Sequence, residues 1–192
     1  MKKNPLAAFA ALLAGMNLPN KLTLLRIALV PVYLLLLWLP AYSWLARIVF
    51  AAASLTDMLD GRIARERGLV TNFGKFMDPI ADKLLTHTAF IMLCAMGRLN
   101  VVACIIFIAR EFVVSGLRLV AVEQGHVIAA GMSGKVKTVL QMVLVMVLTA
   151  RLDKVELLRL PATLLTLATV VMTLYSMAEY VWQNRAVLGG EA

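Results

Sequence analysis

The sequence predicts an all-α integral membrane protein: six transmembrane helices preceded by a short interfacial helix. Two observations carry that reading. Of the 192 residues, 61% are hydrophobic and 16% charged, where a soluble domain is roughly half apolar and about a quarter charged. Mean hydropathy is +0.85, so a water-soluble fold would have too few polar side chains to cover its surface. Apolar stretches of about 20 residues also succeed one another with short polar breaks, which favours helices over a β-barrel. The net charge of +8 fits cation-rich loops and anionic headgroups or substrates better than nucleic acid. No nucleic-acid partner is expected.

Residues 1–16 open with Lys2 and Lys3 and continue as an alanine- and leucine-rich run, the outline of a signal peptide. Leu6, Phe9, Leu13 and Met16 share one helical face, so a retained amphipathic helix lying in the interface is expected instead. The membrane domain then covers 17–192. Residues 17–20 (Asn-Leu-Pro-Asn) read as a turn, with Asn20 able to cap the first span. That span is expected over 21–39, with Pro31 tolerated inside and Pro40 ending it. Thr23 and Arg26 lie one turn apart near its start; Arg26 either snorkels to the interface or serves a polar site. Further spans are expected over 43–67, 74–96, 101–123, 133–150 and 157–183. Turns fall at 68–74, at Gly97-Arg98-Leu99-Asn100, at Gln124-Gly125-His126 and over the polar stretch 151–156.

Cations in the short breaks orient the chain. Lys21, Arg62, Arg65, Arg67, Lys75, Lys135, Lys137 and Arg185 fall on one side with Lys2 and Lys3; Arg47, Arg98, Arg151, Lys154 and Arg159 fall on the other. The richer side should be cytoplasmic, which places both termini and the acidic site there, in a multi-pass protein of the cell membrane. Cys94 and Cys104 sit in apolar runs and read as small buried hydrophobes. His87 reads as a core histidine and His126 as a loop residue.

The chemistry is concentrated in residues 57–82. Asp57 and Asp60 are three apart and share a helix face; Asp78 and Asp82 are four apart and share another. The turn between the two helices would fold them antiparallel, so that the four carboxylates converge. A charge near the bilayer centre costs about 2.5–3.5 kcal/mol, and four anions together also repel. Hard divalent cations bound through oxygen answer both problems, and two such ions can share bridging carboxylates. Paired ions of this kind suit displacement at phosphorus. Gly61, Ala64 and Gly74 leave room for a ligand or a neighbouring helix, and Arg65 can reach a phosphate. A structural network with Arg62, Arg65, Arg67 and Lys75 is the blander alternative.

The pattern Asp57-x-x-Asp60-Gly61-x-x-Ala64-Arg65, eight residues, Gly74-x-x-x-Asp78-x-x-x-Asp82 resembles the signature of the CDP-alcohol phosphotransferase family at all eight positions. The resemblance implies six transmembrane helices, a homodimer and two divalent metals (Mg2+ or Mn2+). It implies transfer of a phosphatidyl group from a CDP-linked lipid such as CDP-diacylglycerol to an alcohol, with release of CMP. Residue by residue, it implies that Asp57 and Asp78 bridge both metals, that Asp60 binds one and Asp82 the other, and that Asp82 is the catalytic base. It places Gly61, Arg65 and Thr71 against the CDP moiety. Asn20 and Thr23 are further candidates to hold the nucleotide or the acceptor.

Several other stretches are similar to the bacterial phosphatidylglycerophosphate synthase branch of that family: residues 17–26, 78–83, 108–111 with 115–118, and 134–138. They imply glycerol 3-phosphate as acceptor. The residues agree, because an acceptor with its own phosphate needs its own cations. Arg110 and Arg118 stand eight residues apart on one helix, and Lys135 and Lys137 open the next, where a helix N-terminus favours anions. Arg110 can alternatively pair with neighbouring Glu111, and the two lysines can simply mark the cytoplasmic side. A different alcohol, such as inositol phosphate, keeps the family and changes the product. A divalent-cation transporter is the competing reading of another class, since intramembrane aspartates also mark ion pathways.

Overall fold

The computed structural model describes residues 16–66, 71–126, 128–129, 131–151 and 155–189. Side chains at 57–66, 72, 73, 75, 76, 82 and 188 fall outside that description. Residues 1–15 of the expected interfacial helix and 68–70 of the turn expected over 68–74 also lie outside the described residues, while 72–74 of that turn belong to a helix instead.

Among the described residues the chain is all helix and connection. The elements are α1 (Leu18–Trp38), a 3-10 turn (Pro40–Tyr42), α2 (Ser43–Glu66), α3 (Asn72–Ala95), α4 (Val101–Glu123), α5 (Met132–Thr149), α6 (Glu156–Gln183) and the short α7 (Arg185–Gly189). The six long helices begin and end within three residues of the spans expected from the sequence. By length and composition, α1, α5 and α6 are long and apolar enough to cross a membrane.

Helix ends show why the boundaries fall where they do. The cap of α1 is Asn17 rather than Asn20: its side chain accepts from the Asn20 amide at 3.1 Å. The helix starts a turn earlier than expected because Pro19 fits its first turn, where a missing N–H costs nothing. That leaves Asn20 inside the helix, buried. Asn100 caps α4, accepting from the Val102 amide at 2.8 Å. At the C-termini of α3 and α4, Gly97 and Gly125 take left-handed φ of 67° and 78°. Beyond each glycine an amide returns to the helix, Arg98 to the Leu93 carbonyl and His126 to that of Ala121, both at 2.8 Å. Glycine adopts that turn without the Cβ clash that other residues meet. Arg151, just past α5, holds φ 59° without being glycine.

The chain divides into two compact units within α3, Met1–Thr88 and Ala89–Ala192. In the first, α1 packs on α2, with the Tyr33 and Phe50 rings 5.6 Å apart at the centre. In the second, α6 packs on both α4 and α5, and α7 on α4. Phe90 and Phe107 meet at 4.9 Å there, and Val114, Leu117 and Tyr180 form a further cluster.

The polarity of these units is reversed relative to a protein dissolved in water. Leu157 is 85% exposed and Phe112 70%, while Thr169, Thr173 and Ser176 on α6 are completely buried. Their hydroxyls are satisfied by carbonyls of their own helix, as a medium without water demands. An apolar exterior around a partly polar interior is what a lipid solvent selects, and we read the chain as an integral membrane protein.

Candidate functional site

In the first unit, four residues from two distant stretches close around Gly74. Thr71 immediately precedes α3, and its Oγ1 accepts from the Gly74 amide at 3.0 Å, as a helix cap does. The same hydroxyl donates to Asn20 Oδ1 on α1, also at 3.0 Å. One turn further along α1, Thr23 donates to Asp78 Oδ1 at 2.6 Å. A Cβ at Gly74 would stand 3.0 Å from Asn20 Oδ1, 3.3 Å from Thr71 Oγ1 and 3.5 Å from Asp78 Oδ2. Gly74 is therefore glycine because oxygen atoms occupy the place of a side chain. Asn20, Thr23, Thr71, Gly74 and Asp78, all candidates from the sequence, are brought together.

This lining fits a hard divalent cation. Its donors are oxygen only, its carboxylate is held by a hydroxyl, and no sulfur or imidazole competes among them. Among the described residues no three His, Cys, Asp or Glu side chains come together. The backbones of α2 and α3 carry Asp57, Asp60 and Asp82, but those side chains, with those of Gly61, Ala64 and Arg65, lie outside the described residues.

The second unit holds the basic candidates, and it separates them. Arg110 on α4 and Lys137 on α5 converge on one carboxylate. Arg110 Nη1 donates to Glu111 Oε1 at 2.9 Å, and Lys137 Nζ donates to the same oxygen. The side chains are 8%, 4% and 15% exposed for Arg110, Lys137 and Glu111. Arg110 Nη2 lies against Gly134, 3.3 Å from where a Cβ would be, so this glycine admits the guanidinium between the helices. Arg110 Nε is buried with no hydrogen-bond partner among the described residues. Arg118 goes elsewhere: its Nε donates to the Tyr180 hydroxyl on α6 at 2.9 Å, with the guanidinium 5.4 Å from the ring centroid. Lys135 is exposed.

Two participants are not among the sequence candidates. Glu111 enters the sequence reading only as a neutralising neighbour of Arg110; the added partner Lys137 is 26 residues away. Tyr180 gives no signal, since a tyrosine near the end of an apolar helix is commonplace at a membrane interface.

A sequence profile described as CDP-alcohol phosphatidyltransferase matches residues 16–180. A Bacillus subtilis (strain 168) protein named CDP-diacylglycerol--glycerol-3-phosphate 3-phosphatidyltransferase is 41% identical over 184 residues, covering 88% of this chain and 95% of that protein. A Rickettsia bellii protein of the same name is 44% identical over 128 residues, 66% of this chain and 71% of its own. A Mycobacterium tuberculosis protein named probable phosphatidylglycerophosphate synthase is 37% identical over 179 residues, 91% of this chain and 84% of its own.

Proposed function

The chain belongs to the CDP-alcohol phosphatidyltransferase family, and from that premise we propose that it transfers the phosphatidyl group of CDP-diacylglycerol to glycerol 3-phosphate. The products are phosphatidylglycerophosphate and CMP. Relatives at 37–44% identity are named for this chemistry. The observation that carries the reading is Asp78: a signature carboxylate held by a buried hydroxyl, beside a glycine whose missing side chain lets the Asn20, Thr71 and Asp78 oxygens close in.

The reaction is a displacement at phosphorus. The acceptor's hydroxyl oxygen forms a bond to the phosphatidyl phosphorus. The phosphoanhydride bond to CMP breaks, and CMP leaves with the electron pair on its phosphate oxygen. The hydroxyl proton passes to a carboxylate, for which Asp82 is the proposed base. Asp57, Asp60, Asp78 and Asp82 would hold two divalent cations, Mg2+ or Mn2+. When bound, such cations would neutralise pyrophosphate charge and acidify the attacking hydroxyl. Gly61 and Ala64 leave space for the CDP moiety, Gly74 lets the neighbouring oxygens close up beside it, Arg65 meets its phosphates, and the Asn20, Thr23 and Thr71 hydrogen bonds keep that surface in shape.

Arg110, Arg118, Lys135 and Lys137 are the proposed partners of the acceptor's phosphate. The Nε of buried Arg110, which has no partner among the described residues, supports this assignment, since a buried donor without an acceptor is costly unless a ligand supplies one. An acceptor without phosphate would need none of these groups. The same reading includes six spans with both termini and the aspartates facing the cytoplasm, an interfacial helix over 1–16, and a homodimer in the bilayer. The distribution of lysine and arginine supports the orientation.

The test is CMP release by purified protein in detergent with CDP-diacylglycerol and Mg2+, with and without glycerol 3-phosphate. CMP is expected only when glycerol 3-phosphate is present. Release with a different alcohol alone would change the acceptor, and no release with any alcohol would overturn the proposal.

A further inference from the structure

We propose that Thr23 is a positioning residue for the metal-binding carboxylate: it fixes the orientation of Asp78 and thereby sets divalent-cation affinity. The inference rests on the metal site of the proposed function and adds a residue from α1 to it.

Thr23 is completely buried and lies 55 residues before Asp78. Its Oγ1 stands 2.6 Å from Asp78 Oδ1 and 3.1 Å from the Pro19 carbonyl oxygen. A hydroxyl has one proton to give. The shorter contact lies in the range of a charge-assisted O–H···O− bond, about 2.5–2.7 Å, so the proton goes to the carboxylate. Oδ1 thereby has one lone pair committed, and Oδ2 lies on the Gly74 side, 3.5 Å from a hypothetical Cβ. Rotation of the carboxylate would break the Thr23 bond, so one orientation is selected.

A second link prevents the helices from shifting to compensate. Asn20, one turn before Thr23, accepts from Thr71, which in turn caps the first turn of α3 through Gly74. The α1 helix therefore grips α3 on either side of Gly74. Thr23 cannot donate to a substrate without releasing Asp78, so it acts through that carboxylate. Hydrogen-bonding partners behind a metal ligand typically contribute about 10- to 100-fold in metal affinity.

The experiment is Mn2+ binding to the purified full-length protein in detergent, read from the loss of the free Mn2+ paramagnetic resonance signal. Thr23→Val removes the hydroxyl and keeps the shape. Its Mn2+ affinity is expected to fall about 10- to 100-fold. Thr23→Ser, which keeps the hydroxyl, should stay within about threefold of the parent, well under the range for a lost partner. Thermal unfolding in excess chelator should be the same for Thr23→Val and the parent within a few degrees. Parent-like Mn2+ binding by Thr23→Val would overturn the inference and leave the metal site standing. Absence of Mn2+ binding by the parent protein would overturn the metal site and this inference with it. If Thr23→Val does not fold, Thr23→Ser decides, because weakened Mn2+ binding with the hydroxyl present would contradict the assignment.

Discussion

Glu111 holds two buried cations with one carboxylate, and replacing it with alanine should cost the protein about 3 kcal/mol of stability. Removing one partner of a buried ion pair typically costs about 3–5 kcal/mol, because the remaining charge stays out of water without compensation. Here the lower end applies, since Glu111 keeps 15% of its side chain exposed and water can reach the vacated place. For a chain of this size about 3 kcal/mol corresponds to a fall of roughly 6–12 °C in melting temperature. Glu111→Gln keeps one acceptor oxygen and should lose about half as much. Lys137→Met removes one cation and leaves Arg110 paired one to one, so it should cost less than Glu111→Ala. The assay is thermal unfolding of the three variants in one detergent, tracked by the loss of monodisperse protein. A Glu111→Ala melting point within about 1 °C of the parent, well short of the expected fall, would refute the reasoning.

Three other outcomes are expected. Gly74→Ala places a methyl 3.0 Å from Asn20 Oδ1, which is buried and bound to Thr71. CMP release should fall about 10- to 100-fold by misplacement of the reacting groups, measured as turnover of protein that still elutes as a single species. Tyr180→Phe removes the acceptor of Arg118 Nε and keeps the ring beside it. The KM for glycerol 3-phosphate should rise about tenfold with little change in kcat, the signature of lost binding shared by ground and transition states; an unchanged KM would show that the Tyr180 hydroxyl does not position Arg118 for the acceptor. Dialysis against a chelator should abolish CMP release and Mg2+ should restore it, whereas Asp78→Asn should stay inactive at any Mg2+ concentration.

Helices and their ends are legible in the sequence because apolar runs are interrupted by few residue types. Gly97, Asn100 and Gly125 each mark a boundary by backbone geometry that those residues favour. The start of α1 is harder to place because Asn17 and Asn20 are equally good caps by type. The decision rests on Pro19, which is accommodated in the first turn. Candidate residues can be named from the sequence but their partners cannot. Thr23 with Asp78 and Arg118 with Tyr180 are 55 and 62 residues apart, and helical periodicity carries no information across that distance. Arg110 and Arg118 lie about two turns apart on one helix, yet one pairs with Glu111 and the other with Tyr180. The pairing of Arg110 with Glu111 is open to sequence reasoning because the two residues are adjacent.

The reversed polarity of the helices also sets how this sequence is free to drift. Leu157, Leu160 and Leu167 on α6 face outward, where any oily side chain of similar length meets the same fluid hydrocarbon. Leucine, isoleucine, valine, methionine and phenylalanine are therefore nearly interchangeable there, while a glutamine would be expelled. The opposite flank of the same helix, with Thr169, Thr173 and Ser176 buried to the last atom, cannot take one extra methylene. Divergence among such chains should accumulate as shuffling within an oily alphabet on the outside. The small hydroxyl-bearing flank should change slowly, because its packing leaves no room to spare.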